Sequence, residues 1–299
     1  MAPRKLVTHQ DFESLVEKHD TFLFDCDGVV WNGKHAIKNV SATLDMLRKR
    51  GKRLIFVTNN SATARKDYVA KFARYGIQAS VEDIFSSAYA TAVYLHDVIR
   101  FGSDKKAYVI GGSGIHHELA EVGISTLGSD DTAPINLETL SDIHPNPDVG
   151  AVVFGIDYDI SYRKLACAHT HLTQNPDCLF IATNNDRTLP GGKYMYPGCG
   201  SLLSSLEHST QRTPLVMGKP NKPMLDCVMQ KFHLDPARTC MVGDRLDTDI
   251  LFGISGGLST LCVLTGVATE SDILLPSAPQ ATYYIPSIGD LAELDHHQQ

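Results

Sequence analysis

Short apolar runs alternate with amphipathic stretches along most of this 299-residue chain. "TFLFD" (21–25) is a compact apolar run with polar flanks and reads as a buried strand. "KNVSATLDMLRKRG" follows, with Val40, Leu44 and Leu47 on one helical face and Gly51 as a C-terminal stop. "RLIFVTNN" predicts a second strand, "ATARKDYVAKFARYG" a helix closed by Gly76, and "SAYATAVYLHDVI" a further helix. A new series starts at "KAYVIGG". It runs through a helix over 114–122, a strand "GAVVFGI", a helix over 161–174, a strand "CLFIAT" and a helix in "GSLLSSLEHS". "TPLVMG", "TCMVG" and "STLCVLTG" then resume the strand pattern. Strands alternating with helices imply parallel sheets with right-handed crossovers.

The expected fold is α/β: a doubly wound, Rossmann-like parallel-sheet core with a large inserted α/β cap domain. "RFGSDKK" (100–106) and "STQRTP" (209–214) are polar, contain Gly or Pro, and read as linkers. They divide the chain into a core of 1–100 and 211–299 and an insert of 101–210.

Bulk properties narrow the function classes. The formal net charge of -7 argues against a nucleic-acid partner, whose phosphates call for basic surfaces. No window of about 18 apolar residues is present, so no membrane span is expected. "MAPRKLVTHQDFE" lacks the apolar core of a secretory signal. Seven cysteines without a C-x-x-C pair read as reduced thiols, hence a cytoplasmic protein.

In an open parallel sheet, ligands sit beyond the carboxyl ends of the strands. The polar residues there are Asp25, Asp27 and Gly28 after the first strand, and Thr58, Asn59, Asn60 and Ser61 after the second. Lys219-Pro220 follows "TPLVMG". Asp244, Asp247 and Asp249 follow "TCMVG". Clustered carboxylates repel one another and raise some of their pKa values. A hard dication removes that repulsion, and an all-oxygen donor set suits Mg²⁺. A carboxylate facing a phosphate monoester is repelled by roughly 4 kcal/mol per charge pair at about 4 Å. Mg²⁺ and Lys219 offset this, and Thr58 with nearby backbone N–H groups donates to the phosphoryl oxygens. Two carboxylates then suit a two-step reaction. Asp25 attacks phosphorus to give an aspartyl-phosphate. Asp27 protonates the leaving oxygen, then takes a proton from the hydrolytic water.

D-x-D-G-V, a strand ending in Thr, a later Lys-Pro and G-D-R-x-x-T-D, in that order, resemble the haloacid dehalogenase-like phosphatases. The resemblance spans "FLFDCDGVVWNG", "VTNNS", "GKPNKPML" and "MVGDRLDTDILFG". An insert between the Thr and Lys motifs is similar to that of capped members, in the 4-nitrophenylphosphatase, phosphoglycolate phosphatase and pyridoxal phosphatase group. The resemblance implies a Mg²⁺-dependent hydrolase of a small phosphorylated metabolite. It implies that Asp25, the backbone carbonyl of Asp27, and Asp244 hold the metal, with Asp249 in support, and assigns no role to Asp247. It implies phosphate binding by Thr58, Asn59, Asn60 and Lys219, and a homodimer through the cap. The stretch 182–201 resembles the phosphoglycolate phosphatase version of the cap. Pyridoxal phosphatases carry a His there, and none occurs between Leu172 and Glu207. Asn185 and Asp186 are the candidate substrate contacts, and Arg187 could pair with a substrate carboxylate.

Other readings compete at each position. Asp25 and Asp27 could be turn residues, Thr58 to Ser61 a helix cap, and Asp244 to Asp249 a solvated helix start. An EF-hand is excluded, because Gly28 is fourth in its loop and not sixth. "GGSG" (111–114) fails the dinucleotide pattern at His117. His169 and His171 are two apart on a helix and point in different directions. Cys26 reads as a small apolar residue before a redox-active one. A pyridoxal phosphate phosphatase, a phosphotransferase and a non-catalytic phosphometabolite-binding protein remain as alternatives to a phosphoglycolate-type phosphatase.

Overall fold

A computed structural model describes residues 2–191 and 194–295. The chain forms two compact units, one of 1–58, 68–85 and 219–299, the other of 59–67 and 86–218.

The first unit is built on a seven-stranded sheet. Its order is Arg4–Lys5, Tyr283–Ile285, Ser259–Val263, Thr239–Gly243, Thr21–Phe24, Arg53–Thr58, Ile84–Ser86. Pairing among the first six strands is parallel. Strand Thr21–Phe24 is interior, with Val242 beside Phe24 on one side and Phe56 on the other. The four residues of that strand are all buried, which explains a continuous apolar run in place of alternation. From it the chain moves to Arg53–Thr58 on one side, while Thr239–Gly243 arrives on the other. This reversal of strand order opens a crevice at the carboxyl ends. Helix Val40–Lys49 buries Val40, Leu44 and Leu47 as expected, and the chain turns after it at Gly51, whose φ of 72° suits glycine.

The second unit carries a five-stranded parallel sheet, ordered Leu215–Val216, Leu179–Ala182, Val149–Phe154, Lys106–Ile110, Ser125–Leu127. Helices Ser113–Glu121, Tyr162–Gln174 and Cys199–Thr210 match the expected ones closely. Ser161 caps the second of these through the N–H of Lys164. The fold is therefore the α/β class expected, with a second α/β unit inserted.

The unit boundaries fall elsewhere than the expected 100/101 and 210/211. Leu215–Val216 pairs with Leu179–Ala182, so the second unit runs to Gly218. Helix Ser87–Val93 packs on Ser113–Glu121 and also belongs to it. Segment 59–67 joins through a buried ion pair, in which Arg65 meets Glu118 at 2.8 Å. A polar linker marks where a chain is exposed, not where its contacts change, and these boundaries follow contacts.

"GGSG" is explained within this unit. A Cβ on Gly112 would lie 2.8 Å from the Ala62 Cα, and one on Gly114 would lie 2.6 Å from the Ser61 carbonyl oxygen. The glycines admit the backbone of 61–63, and no nucleotide is needed to account for them.

Candidate active site

Asp25 follows strand Thr21–Phe24, Thr58 ends Arg53–Thr58, and Asp244 follows Thr239–Gly243. The pairing of these three strands brings their carboxyl ends together. Lys219 stands among them, 1% exposed. Its ammonium lies 2.5 Å from Asp25 Oδ1, 2.9 Å from Asp249 Oδ1 and 2.7 Å from the Val57 carbonyl oxygen. Three acceptors match the three donors of an ammonium group. Burial alone would lower the Lys219 pKa, but Asp249 and Asp25 reverse this and hold it above its ordinary value.

Asp244 is 1% exposed, and its Oδ2 accepts from the Val267 N–H at 2.8 Å. Its Oδ1 is buried and has no hydrogen-bond partner among the described residues. Such an oxygen is costly unless a cation faces it. Burial, then repulsion from Asp249, pushes the Asp244 carboxyl up to about 7. Burial likewise raises Asp25 well above the carboxylate range; Lys219 opposes this, and Asp249 and Asp244 add to it. Asp249 is fixed by the N–H groups of Asp244 and Arg245, which donate to its Oδ2 at 3.2 and 3.1 Å. One oxygen from each of Asp25, Asp244 and Asp249 lies within 4.8 Å of the others. The orphaned oxygen and the hard, anionic donor set fit a small dication such as Mg²⁺.

Gly28 shows why the motif needs a glycine. Its φ is 90°, and a Cβ there would meet Asp244 Oδ2 at 2.5 Å.

The other expected residues divide. The Asp27 side chain stands apart from the carboxylate cluster, accepting from Trp31 Nε1 at 2.8 Å. Asp247 pairs with Arg245 at the surface. Asn59, Asn60, Asn185 and Asp186 belong to the second unit. There Asn59 Nδ2 donates to both Asp186 carboxylate oxygens, at 3.2 and 3.3 Å. Asn60 Oδ1 accepts from the N–H groups of Ala62 and Thr63, a local turn ahead of the helix that begins at Arg65. Asn185 and Arg187 are exposed. Asn184 lies within the cap stretch 182–201, but the sequence assigns it no individual role. It is 4% exposed, and its Nδ2 donates to the Asn59 carbonyl oxygen at 2.8 Å. Its signal was its place two residues beyond the end of strand Leu179–Ala182, as the last residue of "ATN". Cys26 is fully buried, and burial followed by Asp25 and Asp27 pushes its thiol well up, away from the reactive thiolate. His171 is buried and accepts from the Asn146 N–H, whereas His169 faces Ser209, so the two do not converge.

Comparison with known proteins agrees with this architecture. The family model described as haloacid dehalogenase-like hydrolase matches residues 22–125, and one described as HAD-hydrolase-like matches 216–291. Phosphoglycolate phosphatase 2 of Arabidopsis thaliana is 44% identical, over 98% of this chain and 99% of its own length. The 4-nitrophenylphosphatase of Schizosaccharomyces pombe is 40% identical over 97% and 99%. The crystal structure of a Mycobacterium tuberculosis glycerol phosphate phosphatase in complex with magnesium is 27% identical, with a TM-score of 0.78, over 93% of this chain and 77% of that one. With the four motifs in order on the strand ends of the matching fold, the chain belongs to the haloacid dehalogenase-like hydrolases, in their phosphatase group.

Proposed function

We propose that this protein is a Mg²⁺-dependent phosphatase of small phosphate monoesters, of the 2-phosphoglycolate type, acting through an aspartyl-phosphate on Asp25. The observation that carries this reading is the arrangement of Asp25, Lys219, Asp249 and the orphaned Asp244 oxygen at the sheet's switch point. Asp25, Asp244, Asp249 and the Asp27 carbonyl would hold Mg²⁺, which supplies positive charge against the phosphoryl oxygens. Lys219 holds the Asp25 carboxylate and adds a second positive charge. When Asp25 is phosphorylated its carboxylate charge is lost, and the Lys219 ammonium is released toward the phosphoryl oxygens. Thr58, at 2% exposure, offers a hydroxyl at the same strand end. Asp27 exchanges the protons.

The choice of phosphoglycolate rests on the 182–201 stretch and on the relatives' names. A panel of 2-phosphoglycolate, glycerol 3-phosphate, pyridoxal 5′-phosphate and 4-nitrophenyl phosphate, with and without Mg²⁺, tests it. Mg²⁺-dependent release with the highest kcat/KM on 2-phosphoglycolate is expected. A preference for pyridoxal phosphate or glycerol phosphate keeps the chemistry and discards the substrate reading. Asp186→Asn is expected to change the order of these esters more than the rate on 4-nitrophenyl phosphate. Equal losses throughout would place Asp186 in structure alone.

Mg²⁺ should also stabilise the fold in a pH-dependent way. A carboxyl whose pKa is raised on folding binds its proton more tightly in the native state. Native stability therefore falls as pH rises from the ordinary value of 3.8 to about 7 for Asp244, and is lowest above that window. A dication offsets the repulsion only once the carboxylates are ionised. The expected result is a rise in Tm on Mg²⁺ addition of several degrees near pH 8 and little near pH 5, by scanning calorimetry. Equal shifts at both pH values would separate Mg²⁺ binding from this cluster.

A further inference from the structure

Asp27 is anchored through one oxygen. Trp31 Nε1–H donates to its Oδ1 at 2.8 Å, and the Lys71 ammonium stands 3.9 Å from that same atom. Among the described residues no hydrogen bond reaches Oδ2, and the side chain is 44% exposed. The indole is fixed in turn. The turn after Asp25 brings Trp31 back, with the Gly28 N–H donating to the Trp31 carbonyl at 2.7 Å. Tyr68 stacks on the fully buried indole at 6.1 Å, Phe72 meets it edge-on at 4.9 Å, and Tyr75 tilts against it at 5.7 Å. Lys71 Nζ lies 3.9 Å from the ring centroid. Tyr68, Lys71 and Phe72 share one face of helix Arg65–Arg74, and Tyr75 follows in the turn after it. This helix and the turn after it thus clamp the indole, and the indole clamps the carboxylate.

We propose that Trp31 and Lys71 are positioning residues for proton donation by Asp27, an inference that rests on the phosphatase reading above. In the first step an Asp25 oxygen forms a bond to phosphorus and the bond from phosphorus to the ester oxygen breaks. The electron pair goes to that oxygen, which takes the proton from Asp27 Oδ2. A carboxylic acid transfers its proton well only when the correct oxygen faces the acceptor. Rotation about the terminal side-chain torsion interchanges the two oxygens, since that torsion is broad and roughly two-fold. The hydrogen bond and the nearby ammonium at Oδ1 suppress this rotation and leave Oδ2 for transfer.

The test uses the dependence on leaving group. A 4-nitrophenolate departs without a proton, whereas an alkoxide needs one. The ratio kcat/KM stops at release of the alcohol, so hydrolysis of the common intermediate does not enter it. In Trp31→Phe, which keeps an aromatic ring without the N–H donor, and in Lys71→Met, which keeps the stem, the preference for 4-nitrophenyl phosphate over 2-phosphoglycolate should rise about ten-fold. Asp27→Asn should raise it further. An unchanged preference in both positioning variants, with a raised one in Asp27→Asn, overturns this proposal and leaves the phosphatase reading intact. An unchanged preference in Asp27→Asn removes Asp27 as the acid and this proposal with it. Trp31 is the chain's single tryptophan, which gives a readout independent of turnover. Asp27→Ala should shift its emission in Mg²⁺-free protein, and unaltered emission would overturn the contact.

Discussion

Asp25→Asn protein is expected to release phosphate at less than about one ten-thousandth of the wild-type rate, with its fold and substrate affinity retained. The carboxamide is nearly isosteric, and its carbonyl oxygen still accepts from Lys219, so the packing around the sheet end is preserved. Its lone pairs are delocalised, and it does not attack phosphorus. Removing one negative charge also relieves roughly 4 kcal/mol of repulsion per charge pair at about 4 Å, so phosphate esters should bind at least as tightly as before. The predicted signature is therefore a collapse of kcat without a rise in the dissociation constant, measured by stopped assay and by calorimetric titration. Acid quench with labelled substrate should trap phosphate on the wild-type protein and none on the variant. Near-wild-type turnover would end the covalent mechanism. A loss of only ten-fold would point to direct attack by water, with Asp25 acting through its charge.

Much of this site was legible because its chemistry sits at strand ends, where a period-free apolar run stops at a polar residue. Phe24 to Asp25, Val57 to Thr58 and Gly243 to Asp244 are all such boundaries, and the parallel pairing of their strands does the rest. What the one-dimensional pattern does not carry is the partner of each group. That Lys219 would meet both Asp25 and Asp249 depends on strands nearly 200 positions apart. The division between the units was misplaced for a related reason. Segment 59–67 follows a core strand directly, yet Arg65, Asn59 and Ser61 bond to Glu118, Asn184 and Thr183. Short pieces were missed where no periodicity accumulates, as at Arg4–Lys5 and Tyr283–Ile285, a parallel pair at the sheet edge. Helices His9–Lys18 and Lys222–Phe232 bear amphipathic faces that the sequence reading passed over. Trp31 ended the first motif in plain view, but its bond to Asp27 requires the turn that brings position 31 back beside position 27.

Lys219→Met should be the most damaging change to stability in the Mg²⁺-free protein. The substitution leaves Asp25, Asp244 and Asp249 clustered without their one buried ammonium. Removing one partner of a buried pair costs about 3–5 kcal/mol, because the remaining charge is stranded in low dielectric. Protonation of a carboxylate limits that cost, so the destabilisation should shrink at acidic pH, because burial and neighbouring carboxylates raise the pKa of both Asp25 and Asp244. Tm should fall by about 5–15 °C near neutral pH, read by scanning calorimetry, and Mg²⁺ should restore part of the loss by replacing the missing charge. Turnover should not return with stability. The reaction needs positive charge at the nucleophile as well as at the metal, and losing one such contact to a phosphoryl group removes about 4 kcal/mol of stabilisation, or about a thousand-fold in kcat/KM. The two losses are separable: recovery of Tm with Mg²⁺ while activity stays low is the expected outcome. Full recovery of both would make Lys219 a structural counter-ion only, with the metal as the sole positive charge the phosphate meets.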